Sequence, residues 1–416
     1  MHYNFRTDFY ELFLNIPSII SCLIDRGFIS KGIIIGYDGA KDSCVIYNML
    51  KDLLQKYDVV EAAICSTPAL AYLCKSNNVV GLMVTASHCA RKYSGLKIIK
   101  SSGYTISSEI EQDVMNYICA KPNRKRLYSA IECKEHLTDN IQCHESYFNI
   151  LHNKIHMLGE KLSICVYKDS EPFYRHLASE YCKLYISKEP DPERRENLVA
   201  SKGYLISIDA DGDKCIIYKD GERLNENGVI FTLSMATKCK KVISNKEISP
   251  ETMNELSVNG VNVQLVQVGD QFISEVIESQ PLKNVFGAES NGHYILPGYT
   301  YSDGLMAGIS FVAGVQYQIH VNHPFSKAVI QYDTAEARNI DFKKISDRGK
   351  IQFDSMNEGM LYVNGSKMFV RSSEWEDSII LITFGKNSKN VLDFALRFII
   401  GKVTRRIDYV EDKKYG

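Results

Sequence analysis

At 416 residues the chain is too long for one hydrophobic core and is expected to divide into roughly three or four domains. Its composition is that of an ordinary globular protein, 45% hydrophobic and 24% charged with 10 prolines, and implies no long disordered tail. A formal net charge of −1 excludes a nucleic-acid binder working through bulk electrostatics, so a bound anion needs a local positive site.

In chain order, the most apolar early stretch, Leu12 to Ile24, is broken by Asn15 and Pro17 and ends at Asp25-Arg26. It is too short for a membrane span, so a cytoplasmic protein without a membrane partner is expected. Gly32-Ile33-Ile34-Ile35-Gly36 predicts a buried strand closing at the turn Tyr37-Asp38-Gly39, followed by a helix from Ser43 to Gln55. Val59 to Cys65 and Val79 to Val84 read as the next strands, which gives α/β units with a largely parallel sheet. A second unit begins near Lys161, with strands at Leu162 to Tyr167 and Tyr204 to Ile208, a helix from Pro172 to Leu184, and an exposed polar loop from Lys188 to Glu196. A third runs from about Asn225 to Val315, with strands at Val261 to Val266 and Asn284 to Phe286. Near the C-terminus, Met360 to Val363 and Lys367 to Val370 flank Asn364-Gly365, a hairpin signal. Ser378 to Phe384 is a further strand and Asn390 to Ile400 a closing helix, making the last unit α+β. The 12 cysteines all fall between Cys22 and Cys239 without a CxxC pair, and read as reduced, buried thiols.

Four loops carry candidate chemistry, although each taken singly also reads as an ordinary polar or acidic turn. Thr85-Ala86-Ser87-His88 follows an apolar strand, so Ser87 stands at a strand's C-terminal end, where α/β sheets place ligands. His88 is suited to moving a proton or binding phosphate oxygens, and Lys97 supplies a cation ten residues on. Asp209-Ala210-Asp211-Gly212-Asp213 puts three carboxylates in five residues, a repulsive cluster that a hard cation would neutralise. An EF-hand does not fit, because its sixth position needs glycine and holds Lys214, and its twelfth needs glutamate and holds Asp220. Mg²⁺ held by a few carboxylates, with phosphate completing its shell, fits better. In Gly287-Ala288-Glu289-Ser290-Asn291-Gly292-His293, the side chains of Glu289, Asn291 and His293 suit sugar hydroxyls, which both donate and accept. Arg371-Ser372-Ser373 could grip phosphate, but Glu374, Glu376 and Asp377 behind it oppose an anion.

Taken in order, these loops resemble the α-D-phosphohexomutase superfamily over essentially the whole chain. The phosphoserine loop of that family reads T-A-S-H-N-P with N-G-x-K after it, against Thr85-Ala86-Ser87-His88-Cys89-Ala90 and Ser94-Gly95-Leu96-Lys97 here. Its metal loop D-G-D-[GA]-D-R is matched by Asp209 to Lys214, and its sugar loop by Glu289 to His293. Phe5-Arg6-Thr7 and Val268-Gly269 are weaker echoes. The fourth loop departs most, with Arg371-Ser372-Ser373-Glu374-Trp375-Glu376 in place of R-P-S-G-T-E.

The resemblance implies an α/β fold of four domains around a central cleft, three α/β with mixed sheets and a C-terminal α+β domain. The boundaries expected are 1–158, 159–222, 223–322 and 323–416. It implies an isomerase acting as an intramolecular phosphotransferase, interconverting hexose 6-phosphate and hexose 1-phosphate in the phosphoglucomutase/phosphomannomutase manner. Ser87 would carry the phosphate, with Ser87, Asp209, Asp211 and Asp213 on Mg²⁺ and hexose 1,6-bisphosphate as intermediate and activator. Arg6, His88, Lys97 and His293 would assist the transfer, while Lys214, Glu289, Asn291, His293, Arg371 and Ser373 bind substrate. The partner is a small hexose phosphate and the protein a monomer or dimer. A phosphoacetylglucosamine mutase and a non-catalytic phosphosugar-binding relative are the alternatives.

Overall fold

The computed structural model describes residues 5–30, 32–87, 93–120, 140–195, 203–315, 325–331, 350–353, 358–363, 366–372, 378–385, 387–397 and 402–410. Four larger sheets form from successive stretches of the chain. In the first, Asp58–Ile64, Gly32–Tyr37 and Val80–Val84 lie parallel in that order, and Leu96–Ile99 closes the edge antiparallel. The central strands are apolar throughout because helices, Lys41–Leu54 and Thr67–Asn77 among them, cover the sheet. Glycine in these strands makes room for thiols: a Cβ on Gly36 would lie 2.4 Å from Cys65 Sγ, and one on Gly81 2.3 Å from Cys74 Sγ. The 10 cysteines among the described residues are free, and Cys65 and Cys74 serve as small buried hydrophobes.

The second sheet runs Glu222–Arg223, Cys215–Lys219, Tyr204–Ile208, Leu162–Tyr167 and Cys182–Ser187. The third runs Asn262–Val266, Lys241–Asn245, Val285–Ala288 and Tyr294–Ile295. Both are mixed, and in each an antiparallel hairpin carries a candidate loop at its tip. Ile208 pairs with Cys215 around the aspartate loop, and Ala288 pairs with Tyr294 around the Glu289–His293 loop. The fourth sheet is antiparallel, in the order Lys350–Phe353, Glu358–Val363, Ser366–Ser372, Ser378–Phe384, Phe325–Gln331 and Lys402–Val410, with the helix Ser388–Leu396 packed on it. Asn364 and Gly365 lie outside the described residues, but Val363 pairs with Ser366 as a hairpin requires.

One apolar core runs continuously through the first two sheets and into the third, from Phe5 to Val312. The fourth sheet has clusters of its own, one under its helix and one on Phe325, Met360, Phe369, Ile382 and Phe384, against which Val268 of the third unit packs. No helix among the described residues is long and apolar enough to cross a membrane.

Three expectations are corrected. The helix expected over 172–184 is only Glu171–Tyr174 with a 3₁₀ turn at Arg175–Leu177, and Cys182–Ser187 is an edge strand. Parallel pairing with Leu162–Tyr167 overrides the local helical pattern. The closing helix stops at Leu396, and the chain ends its sheet with Lys402–Val410, whose charged residues hide the strand alternation. The loop after Lys188 is exposed only in part: Asp191, Pro192 and Arg195 are buried. Arg195 donates to the Cys165 carbonyl and to Ser207 Oγ, each at 3.0 Å, and so ties this loop to the second sheet.

Candidate active site

The strand Val80–Val84 leads directly into the loop that carries Ser87. Thr85 N donates to the Gly95 carbonyl at 2.9 Å, and Ser87 N donates to Thr85 Oγ1 at 2.7 Å. These bonds fold the loop so that Ser87 takes φ 52°, a left-handed conformation uncommon for a side-chain-bearing residue. Strain of this kind amounts to about 1–3 kcal/mol and collects at functional sites. Ser87 Oγ donates to Asp209 Oδ2 at 2.9 Å, joining the first and second units. His88 lies outside the described residues.

The aspartate loop is a hairpin tip drawn inward. Gly212, at φ 79°, turns the chain where a Cβ would strike the Tyr174 hydroxyl at 2.1 Å, so only glycine fits. Asp209 Oδ1 accepts from Gly212 N (3.0 Å) and Lys214 N (3.2 Å) and fixes the turn. Asp209, Asp211 and Asp213 are all 0% exposed, with one oxygen from each within 4.8 Å of the others. Lys97 enters from the edge strand of the first sheet and donates to Asp211 Oδ2 (2.6 Å) and Asp213 Oδ2 (2.5 Å). Burial opposes its charge, but Asp211 and Asp213 outweigh that and raise its pKa. Arg6 is close enough to act against them. Burial, reinforced by Asp211 and Asp213, holds the Asp209 carboxyl well above the usual range. Asp213 is lowered despite its burial, by Lys97 and then His293.

The donor set suits a hard cation. It is all oxygen, it is wholly buried, and among the described residues Asp211 Oδ1 has no hydrogen-bond partner. Thr67, which sequence reasoning missed, donates its hydroxyl to Asp211 Oδ2 at 2.7 Å. Nothing local marks Thr67, because it meets the aspartate loop only through the packing of two units.

The third loop approaches from the other side. Glu289 Oε1 accepts from Asn245 Nδ2 (2.7 Å) and Gly269 N (2.9 Å), and Asn291 Oδ1 lies 2.9 Å from His293 Nδ1. His293 Nε2 stands 3.4 Å from Asp213 Oδ1, which brings the sugar loop to the aspartates. Burial disfavours the charged imidazole, but the hydrogen bond and charge of Asp213, with Asp270 and Glu289, raise its pKa to about 9. In metal-free protein this favours the cationic ring at neutral pH.

In metal-free protein this pairing stabilises the fold fully below an ordinary pKa of about 6.5, and the contribution disappears as pH rises through about 9. Urea denaturation in EDTA should show up to ~3 kcal/mol lost across that interval, and His293→Gln should flatten it.

Two predicted substrate residues, both cations, face acidic partners. Lys214 is buried, with Nζ 3.4 Å from Asp191 Oδ1 and 4.0 Å from Glu193 Oε2. Glu193 also faces Arg223 at 3.5 Å and Lys327 of the fourth sheet at 3.3 Å. Arg371, at the end of Ser366–Ser372, donates from Nε to Glu247 Oε1 at 2.5 Å. Ser373 lies outside the described residues. Thus Ser87, Lys97 and the three aspartates meet, with His293 beside them and Arg6 nearby, while Lys214 and Arg371 face acidic residues that no motif announced.

A serine, a lysine and a buried carboxylate trio thus meet where loops of the first two α/β units come together. The phosphoglucomutase/phosphomannomutase alpha/beta/alpha domain I matches residues 17–125, and domain III of the same family matches residues 221–330. The chain belongs to the α-D-phosphohexomutase superfamily. It is 28% identical over 316 residues to a phosphoglucosamine mutase of Dictyoglomus turgidum, covering 67% of this chain and 68% of that one. The fold matches pp63/parafusin, a phosphoglucomutase of Paramecium in its open form, with TM-score 0.69 at 13% identity over 97% of this chain and 96% of that chain. It also matches a phosphoglucomutase/phosphomannomutase family protein of Burkholderia thailandensis, with TM-score 0.66 at 14% identity over 96% and 97% of the two chains. Members of the superfamily use Mg²⁺, which agrees with the buried aspartate trio.

Proposed function

We propose that this chain is a phosphohexomutase that interconverts hexose 6-phosphate and hexose 1-phosphate, with phosphate resting on Ser87 between turnovers. The observation that carries this reading is the Ser87 Oγ–Asp209 Oδ2 hydrogen bond of 2.9 Å, made at the edge of a buried oxygen trio. In the first half-reaction the bond from phosphorus to Ser87 Oγ breaks and one to the sugar O1 forms. The O1 proton leaves to a base of the cleft, and the result is a hexose 1,6-bisphosphate. After the sugar turns around, Ser87 Oγ takes the phosphoryl group from O6, and O6 recovers a proton. Asp209, Asp211 and Asp213 would hold Mg²⁺, which supplies charge neutralisation on the transferred group. Lys97 orients two of those carboxylates, and His293 and Arg6 stand beside them, placed to meet phosphate oxygens. His88 is the proposed proton carrier beside Ser87. Glu289 and Asn291 meet sugar hydroxyls, and Arg371, Ser373 and Lys214 serve the phosphate that is not reacting.

Glucosamine 6-phosphate joins glucose 6-phosphate and mannose 6-phosphate as a candidate substrate, because curated relatives at 28% and 24% identity are named phosphoglucosamine mutase. Acetylglucosamine phosphate completes the panel. With Mg²⁺ and a matching bisphosphate primer, turnover of at least one sugar is expected. Intact-mass analysis should also show a single gain of about 80 Da on Ser87. If the mass stays unchanged with every bisphosphate and no sugar is turned over, the reading fails. A binding-only relative is the second reading, favoured by the acidic partner of Arg371, and phosphosugar binding without turnover would support it.

A further inference from the structure

Glu247 stands just beyond the strand Lys241–Asn245, which lies parallel to Val285–Ala288, so both strands release their following residues at one edge of the third sheet. That edge carries the sugar loop, and Glu247 is fastened to it. Glu247 N donates to Asn245 Oδ1 at 2.9 Å, Asn245 Nδ2 donates to Glu289 Oε1 at 2.7 Å, and Ser290 Oγ donates to the Glu247 carbonyl at 3.1 Å. The side chain is 0% exposed. One oxygen accepts from Arg371 Nε at 2.5 Å, and the other, Oε2, is buried with no hydrogen-bond partner among the described residues. A buried carboxylate with one unsatisfied oxygen depends strongly on its single cation. Arg371 comes from another sheet and is 15% exposed, so Glu247 draws its guanidinium onto the sugar loop.

We infer that Glu247 sets the affinity of the distal phosphate site: its carboxylate holds the Arg371 guanidinium that a sugar phosphate needs, so binding is an exchange of carboxylate for phosphate. This rests on the proposed assignment of Arg371 to the non-reacting phosphate. A guanidinium can serve two anions at once, but a phosphate brought beside a fixed carboxylate meets a like charge in a largely buried place. Removing that charge without removing Arg371 tightens binding.

The test uses full-length Ser87→Ala protein with Mg²⁺, so that no transfer obscures binding, and titrates glucose, mannose and glucosamine 6-phosphates by calorimetry. Adding Glu247→Gln, which keeps an acceptor for Arg371, should tighten binding of the preferred sugar phosphate roughly five- to thirty-fold. Glu247→Ala is the second variant, in case glutamine perturbs the fold, and should shift affinity in the same direction. The gain should vanish when Arg371→Ala is added. Equal or weaker binding in both Glu247 variants overturns the inference, as does a gain that persists without Arg371. If no sugar phosphate binds any variant, the distal-site assignment falls and the inference with it. Phosphate uptake by Ser87 from hexose 1,6-bisphosphate, measured on protein with Ser87 intact, separates that outcome from failure of the phosphoserine mechanism itself.

Discussion

Ser87→Ala is expected to lower mutase turnover by roughly 10⁴-fold or more, because it removes the atom proposed to carry phosphate between the two half-reactions. The fold should hardly register the change. The substitution deletes one buried hydroxyl whose bond to Asp209 Oδ2 contributes about 1 kcal/mol. Alanine also retains the Thr85 contact, since that bond is donated by the backbone N of residue 87. Thermal denaturation should therefore place the variant within a few degrees of wild type. Its mass should not change on exposure to a hexose bisphosphate. Residual turnover above about a thousandth of wild type would move the phosphate carrier elsewhere in the cleft.

Lys97→Met should be the most destabilising single change at the site. It removes a cation bound to both Asp211 and Asp213 and leaves buried carboxylates facing one another. Breaking a buried ion pair from one side costs about 3–5 kcal/mol, because the remaining charge has lost its solvent and its partner. Chemical denaturation in EDTA should show that loss, and millimolar Mg²⁺ should restore part of it. The double variant Lys97→Met/Asp211→Asn should recover more stability than additivity allows, since the second change removes the charge that the first one orphaned. A loss below about 1 kcal/mol in the single variant would show that the carboxylates are not ionised together in the folded protein.

The same ion pairs show what the sequence could and could not disclose. Strand-end loops are legible because an apolar run followed by Thr85-Ala86-Ser87 or by Asp209-Ala210-Asp211 breaks its own pattern abruptly. Lys97 was legible as a cation near Ser87, but its grip on Asp211 and Asp213 depends on an antiparallel edge strand that brings Lys97 opposite Met83. Thr67 and Glu247 carry no local signal at all; a threonine opening a helix and a glutamate after a strand are ordinary. Their partners lie in other units of the fold, and composition cannot announce such pairings. The stretch from Lys188 to Glu196 misled for a related reason. Its charges suggest solvent, yet Asp191 and Arg195 are buried because each charge finds a partner or a carbonyl. The edge strand Cys182–Ser187 was hidden by a helical pattern that parallel pairing overrode.

The separation of cores also governs how the molecule comes apart. Among the described residues, apolar packing runs continuously from Phe5 to Val312, whereas the sheet from Phe325 to Val410 has separate clusters of its own. Its recorded ties to that block include Val268, Lys327 to Glu193 and Arg371 to Glu247. A block with a core of its own can open without the one it leans on. Amide hydrogens of Phe325–Gln331 and Ser378–Phe384 should therefore exchange with deuterium well before those of Gly32–Tyr37 or Tyr204–Ile208. Partial opening at this end would part Arg371 from Glu247 while Ser87 and the aspartates stay assembled, which under the proposed mechanism is room for a bound sugar to reverse without leaving the protein.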